Sequence, residues 1–216
     1  MHPSVTSIVA LLALGTVAMA ECRAADVSGR VLDADGKPVA QAIVFVQPSA
    51  EERVAPKTFA TMDQIDKTFV PGVLPVTVGT QVRFPNRDQI RHHVYSFSRT
   101  KTFELPLYKG EDASPVLFDK VGVVKIGCNI HDWMSAIILV LPTSHFATTD
   151  QDGRYTLSGL PPGPYTLVAW HALSRDKPEA TQQQVQLADS GGEATFKLSL
   201  VAARSRPATR GARWDE

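Results

Sequence analysis

The chain has 216 residues, with 22 basic and 22 acidic side chains, so its formal net charge is zero. Its length excludes a large multidomain enzyme, and the balanced charge does not indicate nucleic-acid binding. Hydrophobic residues make up 44% of the chain, and 14 Gly and 15 Pro interrupt it too often for long helices. We therefore expect an all-β fold with a buried core.

The chain begins with an apolar run, SIVALLALGTVAMA, that extends from Ser7 to Ala20. The run is too short to span a bilayer comfortably and is followed by small residues, which predicts that residues 1–24 form a cleaved secretory signal. Its first residues lack the Lys or Arg that such signals usually carry. Glu21 precedes Cys22, where a lipoprotein signal has a small residue, so we expect no lipid anchor. Cleavage after Ala24 leaves Cys128 as the single cysteine, a thiol that is buried, paired with another chain or bound to metal.

After the signal, the pattern indicates short strands joined by turns. Val27 to Leu32, the Asp35-Gly36 turn and Ala42 to Val46 together predict a β-hairpin. Near the other end, DGRYTL and LPPGPYTLVAW predict a turn, a strand, a proline-stiffened turn and a second strand. Gln184 to Leu187 and Ala194 to Leu200 complete this part as two further strands.

The two terminal blocks resemble the halves of a known domain. SGRVLDADGKPVAQAIVFV and TTDQDGRYTLSGLPPGPYTLVAW are similar to the halves of a carboxypeptidase regulatory-like (transthyretin-type) β-sandwich. The resemblance implies one sandwich built from residues 25–52 and 146–202. A short loop separates the halves in that family, but about a hundred residues separate them here, so we predict a domain inserted at residues 60–142. Residues 203–216 carry four Arg without apolar periodicity and are predicted to be a disordered tail.

The stretch between the two blocks has its own β-rich runs, bounded by Gly, Pro, Asn or Asp. These predicted strands are Val73 to Val78, Gln81 to Phe84, His93 to Phe97, Val116 to Phe118, Val121 to Gly127 and Ala136 to Leu141.

One segment of this stretch, GCNIHDWM, carries metal-binding chemistry. Cys128, His131 and Met134 follow one another at spacings of three, so a thiolate, an imidazole and a thioether can converge from one short loop. Two His, one Cys and a weak axial Met form the blue-copper arrangement, so a second His from a distant strand is needed. The alternative interpretation makes Cys128 a small buried hydrophobe and Met134 core filler.

The second histidine stands upstream, in FPNRDQIRHHV. This segment has an aromatic-x-Asn end at Phe84 and Asn86, with His92 six residues beyond Asn86, and the later Cys-x-x-His-x-x-Met has the amicyanin spacing. Together the two segments resemble the cupredoxins, closest to plastocyanin and amicyanin. The resemblance implies a Greek-key β-sandwich that holds one type 1 copper through His92, Cys128, His131 and Met134. His93 stands where the family has an Asn that braces the cysteine loop.

Neighbouring strand residues point to opposite faces, so His92 and His93 cannot both reach one metal from a regular strand. The resemblance selects His92.

The other loop residues and histidines are expected to have ordinary roles. Asp132 replaces the Pro common after the second ligand His, and Trp133 is expected to shield the site. His145 and His171 are expected to be surface or satisfied core histidines.

These features favour an exported one-electron carrier that acts between periplasmic redox proteins. A copper-binding, storage or delivery protein is the alternative. No His-x-His pair, Cys-x-x-Cys-His motif or nucleophile elbow is present in the sequence, so we expect no catalytic residues and no enzymatic activity. We expect no nucleic-acid partner and no membrane span after signal cleavage.

Overall fold

The computed structural model of the chain describes residues 24–48 and 59–201. Apart from one short 3-10 turn at Pro178–Thr181, the regular structure of these residues is all β, which confirms the predicted fold class. Within the described ranges, no helix has the length and hydropathy that a membrane crossing requires. The predicted signal up to residue 23, with Cys22, and the predicted tail at residues 203–216 lie outside the described residues.

The described residues form seventeen strands, numbered in chain order. They are β1 (Ala25–Asp33), β2 (Ile43–Gln47), β3 (Phe59–Thr61), β4 (Asp63–Ile65), β5 (Thr68–Val70), β6 (Val73–Thr77), β7 (Thr80–Arg83), β8 (His92–Ser98), β9 (Lys101–Tyr108), β10 (Val116–Phe118), β11 (Gly122–Cys128), β12 (Ser135–Leu141), β13 (Phe146–Thr148), β14 (Arg154–Leu160), β15 (Gly163–Trp170), β16 (Gln182–Leu187) and β17 (Gly192–Leu198).

The first two strands and the last five form two sheets, which we call the flanking sandwich. One sheet has the order β14-β1-β17 and the other the order β13-β2-β15-β16. Their facing side chains form one apolar core, which includes Val27, Val44, Leu157, Leu167 and Phe196. β1 lies between an antiparallel β14 and a parallel β17, and β2 lies between β13 and β15. Strands from both ends of the chain are therefore central to the same two sheets.

The predicted hairpin between β1 and β2 is wrong, because the two strands lie in different sheets. The Asp35-Gly36 turn does form, with Gly36 at a φ of 80°, but the returning chain pairs only briefly. Asp33 N–H donates to Lys37 O at 2.8 Å and Val39 N–H donates to Val31 O at 2.9 Å. Both edges of β1 are taken by β14 and β17, so the chain crosses instead to the second layer, about 10 Å away.

The strands between these blocks form a second body, which we call the central unit. It contains the sheets β10-β7-β3 and β6-β12-β11-β8-β9 and the hairpin β4-β5. Its core includes Phe69, Phe84, Phe118, Val124 and Ile138. The six predicted strands of this stretch are all present, with ends displaced by at most one residue. β9 was not predicted; it is an edge strand, where its internal Pro106 needs no ladder hydrogen bond.

A third apolar cluster joins the flanking sandwich to the central unit. It consists of Ile43, Phe45, Leu139, Leu141 and Val168, which come from β2, β12 and β15. β2 and β12 are consequently buried on both faces, since their alternate residues belong to the separate cores of the sandwich and the central unit. Because both faces are buried, the sequences IVFV of β2 and AIILVL of β12 are continuous apolar runs and do not alternate with polar residues.

The strand order predicts how fragments of the flanking sandwich behave. Residues 146–202 alone should remain largely unfolded, because β14 and β17 pair with β1, and β13 and β15 pair with β2. Joining residues 25–48 to residues 146–202 through a Gly-rich linker should restore a cooperative fold, since Phe45 and Phe146 are cross-strand neighbours. Circular dichroism during urea unfolding measures this, and a cooperative transition in the 146–202 fragment contradicts it.

Candidate metal centre

His92, Cys128 and His131 form a compact group of potential metal ligands. The Cys128 Sγ atom lies 3.7 Å from His92 Nδ1 and 3.6 Å from His131 Nδ1. One ligand atom from each residue lies within 4.8 Å of the others, and no other group of three or more His, Cys, Asp or Glu within the described ranges has this closeness. The three side chains therefore converge on one point.

The separations match those of ligands that share one ion. With bonds of about 2.0 Å to a His nitrogen and about 2.3 Å to a Cys sulfur, an angle between tetrahedral and trigonal places the two atoms about 3.5–3.7 Å apart. Two imidazoles and a thiolate are the strong equatorial donors of a type 1 copper site. The chain therefore has the donors and the spacing for one type 1 copper ion.

The strands β8 and β11 place the first two members of the group. Cys128 is the last residue of β11 and pairs with Val94 of β8. In β8, His92, Val94 and Ser96 are buried while the residues between them are more exposed, so His92 shares the inward face with Val94. This strand alternation brings the His92 imidazole to Cys128.

His93 lies on the opposite face of β8, outside the group. Its Nε2 atom is 2.8 Å from a Glu104 carboxylate oxygen, and its ring packs edge-on against Tyr95. The His93 backbone carbonyl nevertheless accepts a 3.1 Å hydrogen bond from the Asn129 N–H. The cysteine loop is therefore braced at this position by the His93 main chain.

The loop from Cys128 to Met134 is closed by its own backbone. The Cys128 N–H donates to the Met134 carbonyl at 3.1 Å, and the Met134 N–H donates to the His131 carbonyl at 2.9 Å. Met134 is 2% exposed and belongs to the same apolar core as Cys128. The hydrogen bonds fix the spacing of the three loop residues before any ion is considered.

The group is closed on the protein side and reaches the surface at His131. Cys128 is 3% exposed and His92 is fully buried, whereas His131 is partly exposed. The Trp133 ring lies 5.3 Å from the His131 ring, but its side chain is half exposed, so it borders the site without covering it. Burial, with the neighbouring His92 and Lys67, lowers the pKa of His131, which favours the neutral imidazole that a metal requires.

Asp88 and Asn86 support His92, a role that was assigned to neither residue from the sequence. Asp88 Oδ2 lies 2.8 Å from His92 Nε2, on the side of the ring away from Cys128. Partial burial opposes ionisation of Asp88, but hydrogen bonds from Lys67, His92 and Asp66 outweigh it and lower its pKa. Asn86 ties the loop before His92 to β9. Asn86 was noted only for its spacing to His92. No local pattern marks Asp88, because its two backbone partners, Asp66 and Lys67, are distant in sequence.

The other histidines assigned ordinary roles lie outside the group. His145 and His171 are in or beside the flanking sandwich, and His171 Nδ1 accepts a hydrogen bond from the Leu173 N–H at 3.2 Å. Burial lowers the pKa of His171.

Comparisons with known proteins give matches among solved structures alone. Neither a protein-family model nor a curated protein matches the chain. A copper-containing nitrite reductase from Thermus scotoductus SA-01 is 25% identical over 44% of this chain and 25% of its own, with a TM-score of 0.37. A purple cupredoxin from Nitrosopumilus maritimus is 23% identical over 39% of this chain and 100% of its own, with a TM-score of 0.34. A reduced amicyanin variant is 21% identical over 45% of this chain and 98% of its own, with a TM-score of 0.37. The chain thus spans about a quarter of the nitrite reductase.

Removing the Asn86 side chain should destabilise the loop that carries His92. Asn86 Nδ2 donates to the carbonyls of Ile90 and Tyr108 at 2.9 and 3.1 Å, and its Oδ1 accepts from the Asp88 N–H at 3.0 Å. We expect Asn86→Ala to lower the free energy of unfolding of the metal-free chain by about 1–3 kcal/mol, because buried polar groups lose their partners. Asn129→Ala is the matched control, since the Asn129 side chain is exposed, and should change it by less than about 0.5 kcal/mol. Urea denaturation measures the free energy of unfolding of both variants, and equal effects contradict the role of Asn86 in holding the loop.

Proposed function

We propose that this protein is an exported type 1 copper protein that carries single electrons between periplasmic redox proteins. The observation that carries the proposal is the preformed group of His92, Cys128 and His131, closed to solvent except at His131. Met134 is proposed as the weak fourth ligand, on the basis of its position in the loop and its burial in the same core.

The chemistry of the donors favours copper. A thiolate and a thioether are soft ligands, and imidazole binds copper in both of its oxidation states. A bound copper ion supplies one-electron redox chemistry. Cys128 supplies the thiolate, whereas His92 and His131 each present Nδ1 towards it.

The surroundings of the group suit electron transfer better than catalysis. Four protein ligands leave no open coordination position for a substrate, whereas catalytic metal sites keep one position open. The backbone hydrogen bonds of the Cys128–Met134 loop and the burial of His92 would hold the donors in place while the ion changes its oxidation state. We therefore propose a carrier without enzymatic activity.

A partner would dock where His131 reaches the surface. Ile130 and Trp133 flank it with about half of each side chain exposed, an apolar surround for a transient contact. Residues 60–142 carry nearly equal numbers of basic and acidic side chains, so we propose a redox protein that docks mainly through apolar contact. Export rests on the predicted signal at residues 1–24.

We also propose that residues 60–142 form a copper domain inserted between residues 25–52 and 146–202 of one carboxypeptidase regulatory-like sandwich. The pairing of β1 with β14 and β17 supports this division, as does the pairing of β2 with β13 and β15. The apolar cluster that includes Leu139 and Leu141 supports the further proposal that the sandwich holds the copper domain.

The ligand assignment predicts a coloured copper form, and it predicts that His92 is needed for the colour and His93 is not. We expect one copper per chain and an intense visible thiolate-to-copper(II) band that is lost on reduction. His92→Ala should abolish the band, because it removes a buried donor, whereas His93→Asn should retain it, since His93 lies on the other face of β8. Absorption spectra with metal analysis test this, and stoichiometric zinc with no coloured copper form contradicts it.

The carrier role predicts reversible cycling without loss of metal. The donors are held by the fold, so we expect the loaded protein to be reduced and reoxidised repeatedly while it retains its copper. Voltammetry followed by copper analysis after each cycle measures this. Substantial copper loss on reduction, or transfer to an apo-acceptor protein, supports the storage or delivery alternative instead.

A further inference from the structure

The Asp88 carboxylate links the candidate metal centre to a separate part of the central unit. Its Oδ2 atom lies 2.8 Å from His92 Nε2, in a pair whose side chains are 12% and 0% exposed. The opposite ring nitrogen, Nδ1, faces Cys128 Sγ at 3.7 Å. The imidazole is thus held between a carboxylate and a thiol.

Two further hydrogen bonds anchor this carboxylate to the turn between β4 and β5. Oδ1 accepts from the Asp66 N–H at 2.7 Å, and Oδ2 accepts from the Lys67 N–H at 2.9 Å. Both turn residues have a left-handed backbone, with φ of 51° and 55°, so their N–H groups point to one side. The hairpin is itself anchored in the core, because Gln64 and Phe69 are almost fully buried.

The hydrogen-bond pattern determines which imidazole nitrogen carries the proton. An ionised carboxylate only accepts hydrogen bonds, and both Asp88 oxygens already accept from backbone N–H groups. His92 Nε2 must therefore donate, which leaves the lone pair on Nδ1 directed towards Cys128. That tautomer presents the nitrogen lone pair to a metal bound by the thiolate.

We propose that Asp88 is the positioning residue of the metal centre: it holds His92 as the Nε2–H tautomer, couples this ligand to the β4–β5 turn and favours the oxidised ion. The effect on the ion rests on the proposed function. A carboxylate hydrogen-bonded to a ligand imidazole makes that imidazole a stronger donor and adds nearby negative charge. Both effects stabilise copper(II) more than copper(I), so Asp88 lowers the reduction potential.

Asp88→Asn tests the proposal because it keeps the size of the side chain but cannot satisfy all three donors. Whichever way the amide is turned, its NH₂ group faces either the Asp66 N–H or the His92 and Lys67 donors. We expect copper(II) binding to weaken about 10- to 100-fold. Where copper(I) binding is unchanged, each tenfold loss raises the potential by about 59 mV.

Asp132→Asn is the matched control. It removes the same charge from the residue after His131, but the Asp132 carboxylate has no hydrogen bond to a member of the group in the described structure. We expect a shift in potential well below that of Asp88→Asn. Equal shifts, or an unchanged or lowered potential in Asp88→Asn, overturn the proposal.

A metal-free measurement keeps the test decisive if Asp88→Asn does not fold. Long-range ¹H–¹⁵N correlation spectra of the neutral His92 imidazole in the wild-type apoprotein report its tautomer. We expect the proton on Nε2; a proton on Nδ1 overturns the role of Asp88 even if copper binds. A wild-type chain that binds no copper but has the Nε2–H tautomer overturns the proposed function and leaves the positioning of His92 by Asp88 supported.

Discussion

The register of β8 against β11 is the constraint on which the candidate site depends. Cys128 pairs with Val94, and His92 lies two residues before Val94 on the same inward face, so a thiol and an imidazole 36 positions apart meet at one point. A slip of one residue would turn His93 inward and expose His92, because successive strand residues face opposite sides. The register therefore decides which histidine can serve as a ligand.

Several separate contacts stabilise this register. The inward residues of β8 and β11 belong to the core of the central unit, and Asn86 bonds the loop before His92 to the end of β9. Asp88 adds the β4–β5 turn to the same support. On the outer side, Leu139 and Leu141 of β12 pack against the flanking sandwich, so the strand next to β11 is covered on both faces. Because several contacts hold the potential ligands in place, the site suits chemistry in which the ligands move little.

The strands of the central unit were predictable where local signals were strong. Runs of β-branched and apolar residues between Gly, Pro, Asn or Asp marked six strands to within one residue. The very short strands β3, β4 and β5 were missed because each contains a polar residue, whereas the equally short β10 is an apolar run between Pro115 and Asp119. The hairpin prediction for β1 and β2 failed for a different reason: the turn chemistry was interpreted correctly, but the edges of β1 are occupied by strands from the far end of the chain.

The sequence by itself determined the all-β class and predicted that Cys128, His131 and Met134 converge, because strand patterning and a spacing of three within one loop are local properties. The resemblance to cupredoxins added His92 to these three. Only the tertiary structure decided that Asp88 contacts His92 and that β1 lies between β14 and β17. The β1 pairings, and the bonds that tie Asp88 to the β4–β5 turn, join segments far apart in the chain. Packing and strand register select such partners from many that local chemistry permits, and the contact between Asp88 and His92, four residues apart, depends on the conformation of the loop between them.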